Sequence, residues 1–478
     1  MPPQFDLVIR NGTVLTAADT TRCDVGIRNG KIEALALVLG PGAEEIDATG
    51  RLVLPGGIDS HVHFEQDSPE SGARPAGDFF AGSRSAACGG TTCVIPFARQ
   101  IKGHSLRQAV ADYHKKSDGK SAIDYAFHLI VADPTPQVLG QELPALIRDG
   151  YTSIKVYMTY DALKLADRDI LDVLALARRE GAMPMVHAEN ADCINWLTKQ
   201  LLDSGRTHPR YKRIAHAGPV EREATHRAIT LAELVDVPLL IVHVATGEAA
   251  EQIATARRRG LKVFGETCPQ YLFLTERDID KEGMEGAKCI CAPPPGTQRN
   301  QDALWRAMEA GVFQIFSSDH APYRYDDPRG KLVNGPNAPF NKITNGVPGV
   351  ETRLPLLFSG GVQAGRIDIH SFVAMTATNP AKMYGLYPRK GTVAVGSDAD
   401  LAIWNPDREV TITTRILHDD MDYTPYEGHQ VRGWPEITVS RGAVVCRDFE
   451  FLGNQEHGAF LQCGIPNPPR HDDALLRL

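Results

Sequence analysis

The sequence predicts an α/β fold: a (β/α)8 TIM barrel carrying a second, smaller β-sandwich domain built from both chain ends. Two observations point there. Across roughly residues 55 to 385, apolar β-rich runs at 52–64, 91–97, 123–131, 152–158, 183–188, 238–245, 261–266 and 312–317 alternate with helical patterns such as Ala162 to Glu180 and Val220 to Leu234. Eight strands, each followed by a helix, is the count for such a barrel. The two ends, by contrast, read only as short strands, and neither has enough of them to cover a hydrophobic face. Pairing the ends solves that and makes the middle an insertion with its termini close together.

In chain order, the first fifty residues alternate as strands do and carry two hairpin signals, Asn11-Gly12 and Asn29-Gly30. Near the other end, Gly391–Gly396, Asp400–Trp404, Val410–Thr413 and Glu436–Gly442 read as strands punctuated by Gly, Asp and Pro. The expected division is 1–54 and 389–453 for the two parts of the β-sandwich and 55–388 for the barrel, with 454–478 as an extended arm. The arm contains Pro466, Pro468 and Pro469 and has little apolar content, so it is expected to pack along a neighbouring subunit of a homo-oligomer.

Composition narrows the function classes. The formal net charge is -8 and no basic stripe appears, which argues against nucleic acid or an anionic membrane surface as partner. The N-terminus lacks the charged and apolar regions of a signal peptide, and apolar runs such as Val237 to Val242 are far too short to span a bilayer. Nine cysteines are scattered without paired spacing, and they read as reduced core residues. The expected location is cytoplasmic.

In a barrel of this kind the chemistry sits at the C-terminal ends of the strands. The first strand ends Gly56-Gly-Ile-Asp-Ser-His61-Val-His63, and side chains two apart on a strand share one face. The fifth ends at His187, the sixth at His243, and the eighth at Asp319-His320. Any one of these has a bland reading as a satisfied core histidine or a helix N-cap. Together they place four imidazoles and a carboxylate around one mouth, a ligand set suited to zinc and similar divalent ions. The fourth strand adds Lys155 between Ile154 and Val156. A buried ammonium beside divalent cations would repel them and be costly to desolvate. Carbamylation by carbon dioxide would make it an anion with two oxygens able to bridge two metals; the bland alternative is a snorkelling surface lysine.

In this order, His61-Val-His63, Lys155, His187, His243 and Asp319 resemble the amidohydrolase superfamily with a binuclear metal centre. Further blocks are similar to its dihydropyrimidinase and hydantoinase branch: Gly89-Gly-Thr-Thr92, Lys155–Tyr160, Glu266–Tyr271, Ala292-Pro-Pro, Asn345–Glu351, Gly396–Leu401 and Asp422–Gly428. The resemblance implies that His61, His63 and Asp319 hold one metal and His187 and His243 the other. Carbamylated Lys155 and a hydroxide would bridge them. Zinc is the default ion, with manganese or cobalt able to substitute. It further implies that the bridging hydroxide attacks the carbonyl of a cyclic amide or imide ring and that Asp319 shuttles its proton. Tyr160 would donate to the oxyanion, the backbone around Ala292 and Asn345 would bind the ring's second amide, and the chain would assemble as a homotetramer.

The chain departs from that branch most in the loop after His63, which reads Phe64-Glu-Gln-Asp-Ser-Pro-Glu-Ser-Gly-Ala-Arg74 where the branch generally has apolar lid residues. On an extended segment only one of Phe64 and Glu65 can face the ring, and Phe64 is the expected apolar wall because an unpaired carboxylate in a closed site is costly. An allantoinase or dihydroorotase activity is the near alternative. Those relatives carry an arginine where Glu65 stands, although Arg74 could reach in from the loop. A catalytically inactive assembly protein is the alternative of a different class, and such proteins lose metal ligands, whereas all six positions are filled here.

Overall fold

A computed structural model describes residues 3–468 of the chain. Its centre is a parallel barrel of eight strands: Gly57–Val62, Thr91–Arg99, a third in two pieces (Asp124–Tyr125 and His128–Ile130), Ser153–Tyr157, Met183–His187, Leu239–Ile241, Val263–Thr267 and Ile315–Phe316. Each pairs with the next, and nearly every residue in them is buried, as strands covered on both faces must be. The eighth strand is only two residues long. The ring closes just beyond it, by a parallel bridge between Val62 and His320 and by the His63 N–H donating to the His320 carbonyl at 2.8 Å.

The helices outside follow from apolar spacing. In Asp167–Glu180, Ile170, Val173, Leu174 and Ala177 form the buried stripe. Asp167 and Asp169 sit at its positive end, Arg178 and Arg179 at its negative end, and Gly181 ends it at φ 74°. The helix begins at Asp167 rather than Ala162, because the chain turns sharply after Tyr160, whose φ is 69°.

The chain ends form two packed sheets. One runs in the order Lys31–Ala36, Asp24–Arg28, Phe5–Arg10, Gly42–Asp47. The other joins Glu450–Phe451, Ala443–Arg447, Gln430–Ser440 and Leu401–Thr411 from the C-terminal side to Leu52–Pro55, Thr13–Leu15 and Thr20–Arg22 from the N-terminal side. Leu7, Ile9, Val25 and Ile27 share a core with Val53, Leu401, Ile403 and Val439. The apolar run 52–64 therefore serves both units. Residues 52–55 pair with Leu401–Trp404, and the chain enters the barrel past Gly56, where any Cβ would collide with Thr92.

Two local expectations change. Asn29-Gly30 makes the expected hairpin, with Arg28 opposite Lys31. Asn11-Gly12 does not, because the strands on either side of it belong to different sheets. Gly391–Gly396 forms no strand but a turn region tied to Ile32 through the Gly396 N–H. The described part of the arm is held by its own chain. It lies on this chain's own barrel, with Leu461 N–H donating to Tyr125, Cys463 N–H to Gly150 and Asn467 N–H to Lys382, and with Leu461 fully buried. Its scarce apolar residues are supplemented by backbone donors that find acceptors along the barrel. Residues 469–478, including Pro469, lie outside the described residues.

Buried charge joins the units. Lys390 Nζ lies 2.6 Å from Asp124 on the third barrel strand and 2.5 Å and 3.0 Å from Asp400 and Asp398 at the sandwich. His418 pins the segment before Asp422 to the barrel. Its Nδ1–H faces Glu351 at 2.9 Å and its Nε2–H the Phe449 carbonyl at 2.7 Å. Burial alone would depress this imidazole, but Glu351 outweighs burial and raises it to about 9. A folded-state value above the unfolded one stabilises fully below about pH 6.5, and the contribution is lost as pH rises through about 9. The stake is up to roughly 3 kcal/mol. We expect the urea midpoint to fall between pH 6.5 and 9.5, and His418→Gln to flatten that fall; a variant with the wild-type slope would remove His418 from the account.

Candidate metal centre and active site

At the C-terminal mouth of the barrel, His61, His63, Tyr160, His187, His243, Ala292, Asp319 and Asn345 line one cavity. The first strand's alternation delivers His61 and His63 to one side. Asp319 follows the eighth strand and turns in with φ 51°, and His243 does the same with φ 37°. A residue without glycine's freedom held in the left-handed region is strained, and such strain persists where the surrounding structure dictates it.

Hydrogen bonding fixes which nitrogen each imidazole turns inward. His61 Nδ1 lies 2.7 Å from Glu266 Oε1, His63 Nδ1 2.9 Å from Gln66 Oε1, and His187 Nε2 2.8 Å from Glu189 Oε2. With those protons committed to acceptors, the remaining nitrogens turn lone pairs into the cavity. His61 Nε2 and His63 Nε2 each stand 3.3 Å from Asp319 Oδ1. His187 Nδ1 faces His243 Nε2 at 2.8 Å, and the other nitrogen of His243 is buried without a partner. His61, His63 and Asp319 each offer a ligand atom within 4.8 Å of the others. Lone pairs converging on a carboxylate repel one another until a cation is placed among them, so this donor set fits a divalent metal.

Lys155 does not line the cavity. It lies beneath, fully buried, with its ammonium about 5.1 Å from the ring centres of Phe97 and Tyr157 and no hydrogen-bond partner. Burial pushes this amine below the usual lysine range, against the pull of Glu266 and Asp319. Burial works to raise the Asp319 carboxyl, but His61, His63 and Lys155 together hold it low. Burial raises the Tyr160 hydroxyl well above the ordinary tyrosine value, so it stays protonated and able to donate. The Tyr160 ring stands 5.2 Å from that of His187.

The loop after His63 differs from expectation. Glu65 takes φ 50°, so the segment turns where an extended chain was expected. Phe64 is buried away from the cavity, against Phe79 and His320, where Gly82 leaves room for its ring. Glu65 accepts from the Phe79 N–H at 3.3 Å. Neither residue lines the cavity, nor does Arg74; Gln66, Asp67, Ser68, Pro69 and Glu70 do, with Arg99 beside them. The Arg99 guanidinium donates to the Asp67 carbonyl at 2.8 Å.

Several residues that hold the site went unread in the sequence. Glu266 ends the seventh apolar strand as Asp319 follows the eighth, a signal that was there to be used; it accepts from His61 and from the His243 N–H at 3.0 Å. Glu189, two residues after His187, also binds His216 at 2.6 Å. Lys331 donates to the carbonyls of Ile290 and Gly346, tying together the segments that carry Ala292 and Asn345. Nothing in the sequence marked it.

A model of the amidohydrolase family matches residues 52–445. The chain belongs to the amidohydrolase family. It is 43% identical to the D-hydantoinase of Ralstonia pickettii, across 96% of this chain and 99% of that protein. It is likewise 43% identical to the D-hydantoinase of Geobacillus stearothermophilus, across 95% and 96%. Among solved structures, the dihydropyrimidinase from Brevibacillus agri superposes with a TM-score of 0.93 at 42% identity, covering 97% of this chain and 99% of that one. Within the family the chain therefore falls in the hydantoinase and dihydropyrimidinase branch.

Glu266→Gln keeps the shape but replaces the carboxyl group that accepts from His61 with an amide. Affinity for metal should fall by about 10–100-fold, read by competition with a chelator. Wild-type affinity in a folded variant would mean that His61 is held without it.

Proposed function

We propose that this amidohydrolase opens a cyclic amide or imide ring of the hydantoin or dihydropyrimidine type, using two divalent metal ions. The single observation that carries the reading is the convergence of four inward-turned imidazoles and Asp319 over a buried lysine without a partner. His61, His63 and Asp319 would hold one ion and His187 and His243 the other. Lys155 would join them as a carbamate, its amine nitrogen bonded to carbon dioxide with loss of a proton. That modification replaces a buried cation with an anion and so removes the conflict between Lys155 and the metals. Zinc suits the ligand set, with manganese or cobalt as substitutes.

When bound, the ions polarise the scissile carbonyl and activate water at neutral pH. The protein's own groups do the rest. Asp319 takes the proton of the attacking water and delivers it to the leaving ring nitrogen. Tyr160, kept protonated by burial, donates to the developing oxyanion. The main chain beside Ala292 and Asn345 reads the ring's second N–H and C=O pair, as one peptide reads another. Assembly as a homotetramer belongs to the same reading.

Arg99 on the wall favours one second reading, an anionic ring of the dihydroorotate kind. The objection drawn from Glu65 lapses because that carboxylate faces elsewhere. No helix among the described residues is long and apolar enough to cross a membrane.

Metal-loaded protein assayed on dihydrouracil, hydantoins, cyclic imides, allantoin and dihydroorotate tests the reading. Turnover of the neutral rings, abolished by a chelator and restored by zinc, is expected; turnover of dihydroorotate alone would favour the alternative. Lys155→Ala should lose metal and activity together, with partial rescue by short carboxylates, and full metal content and full rate in that variant would dismiss the carbamate. Asp319→Asn should lower kcat by on the order of 10²-fold or more. A rate that barely changes across the pH range would assign the proton to another group.

A further inference from the structure

Beside the catalytic cavity lies a second recess of about 130 Å³ that shares Glu70 and Tyr160 with it. A space of that size takes a handful of non-hydrogen atoms. Lys212 forms part of its wall and is 5% exposed. Its backbone is bonded within the short helix, where the carbonyl accepts from the His216 N–H at 3.0 Å, but among the described residues its ammonium meets no hydrogen-bond acceptor and no carboxylate within 4 Å. Burial pushes its ammonium below the ordinary range, with Glu70 and Glu189 opposing. On the same recess, Asn341 Oδ1 is buried without a partner. At the shared rim, the exposed Glu70 accepts from Asn345 Nδ2 at 3.1 Å, which leaves its other oxygen available.

The recess thus presents an ammonium without an acceptor, an amide oxygen without a donor, and a carboxylate with one oxygen free. Buried polar groups are normally satisfied, and the cost of leaving them unpaired is recovered when a ligand supplies the partners. Its chemistry discriminates among ligands. An apolar group would leave Lys212 and Asn341 unpaired. A full anion would meet Lys212 but also the carboxylates of Glu70 and Asp161 on the same walls. A neutral group with a carbonyl for Lys212 and an NH2 for Asn341 and Glu70 satisfies every member.

We propose that this recess binds the exocyclic group of the substrate, and that the preferred ring carries a primary carboxamide substituent. The inference rests on the cyclic amide reading above, to which it adds the substrate class. It also gives the polar lid a purpose, since the lid places Glu70 where the recess opens beside Tyr160.

The test compares shape-matched pairs on metal-loaded protein: 5-(carbamoylmethyl)hydantoin against 5-isobutylhydantoin, and the homologues one methylene longer, with the corresponding carboxylic acids. The amide of at least one pair should exceed its apolar isostere in kcat/KM by at least about tenfold, because a site built to hydrogen-bond rejects the analogue that cannot. In Lys212→Met that ratio should fall to within about threefold. Using the ratio within each variant separates recognition from general damage to the fold. Asn341→Ala, at the other end of the recess, makes the same test if the Lys212 variant does not fold. An isostere preferred or equal in both pairs, an acid preferred over its amide, or a ratio that survives these substitutions would overturn the proposal. Calorimetric binding of the intact rings reads the same preference without turnover. An inactive protein that still selects the amide would therefore overturn the hydrolase reading and leave the recess assignment standing.

Discussion

Everything at the mouth of this barrel depends on how the ring closes between its first and eighth strands. The eighth strand contributes only Ile315 and Phe316 to the sheet, too short a ladder to fix register through backbone bonds alone. A buried side-chain cluster does that work. Arg353 meets Asp59 at 3.3 Å with both side chains wholly buried. The same guanidinium donates to the Phe316 carbonyl at 2.7 Å and to Thr91 at 3.1 Å. Asp59 in turn accepts from the Ser318 N–H at 3.1 Å and the His61 N–H at 3.3 Å. One ion pair thus grips the first, second and eighth strands just below the residues that must converge. Buried pairs of this kind contribute little net stability against their desolvation, but breaking one is costly, which suits them to setting register. A slip of one residue here would send His61 and His63 to the opposite face.

Above that closure, the site is organised by where protons are held. Glu266, Gln66 and Glu189 each take one ring N–H and thereby aim the opposite lone pair. The carboxylates are themselves held: Glu266 by the His243 N–H and Glu189 by His216. The ring orientations of this candidate site are thus set by the protein alone, since ring rotation would strand a buried acceptor. The cost appears as strain at Asp319 and His243 and as two buried nitrogens, Lys155 Nζ and His243 Nδ1, without partners. Such concentrated cost is characteristic of positions retained for chemistry.

The loop after His63 shows the limit of alternation as a guide. Phe64 was expected at the ring and Glu65 away from it, on the premise of an extended chain. A single positive φ at Glu65 breaks the premise, and Phe64 falls into a pocket made by Phe79, His320 and the absent side chain of Gly82. The wall of the cavity passes to Gln66 through Glu70, the mostly polar stretch that stands where the branch generally has apolar lid residues.

By itself, the sequence determined the barrel, the β-sandwich joining its two ends, and the strand ends carrying His61, His63, His187, His243 and Asp319. Periodicity of two along a strand and the alternation of strand with helix are local properties, so they can be read residue by residue. It also carried Lys155, because an ammonium amid Ile154 and Val156 conflicts with its surroundings wherever the strand lies. What only the tertiary structure decided are contacts between residues far apart in the chain. Glu266 reaching His61, Arg353 reaching Asp59, and Lys331 tying Ile290 to Gly346 leave no periodic trace. The same holds for the arm: up to Asn467 its backbone bonds to distant parts of its own barrel, and no pattern in its sequence marks those partners. Lys212 is the sharpest case. In sequence it is one basic residue on a short helix, and only the fold buries it beside the cavity, where an unpaired charge acquires meaning.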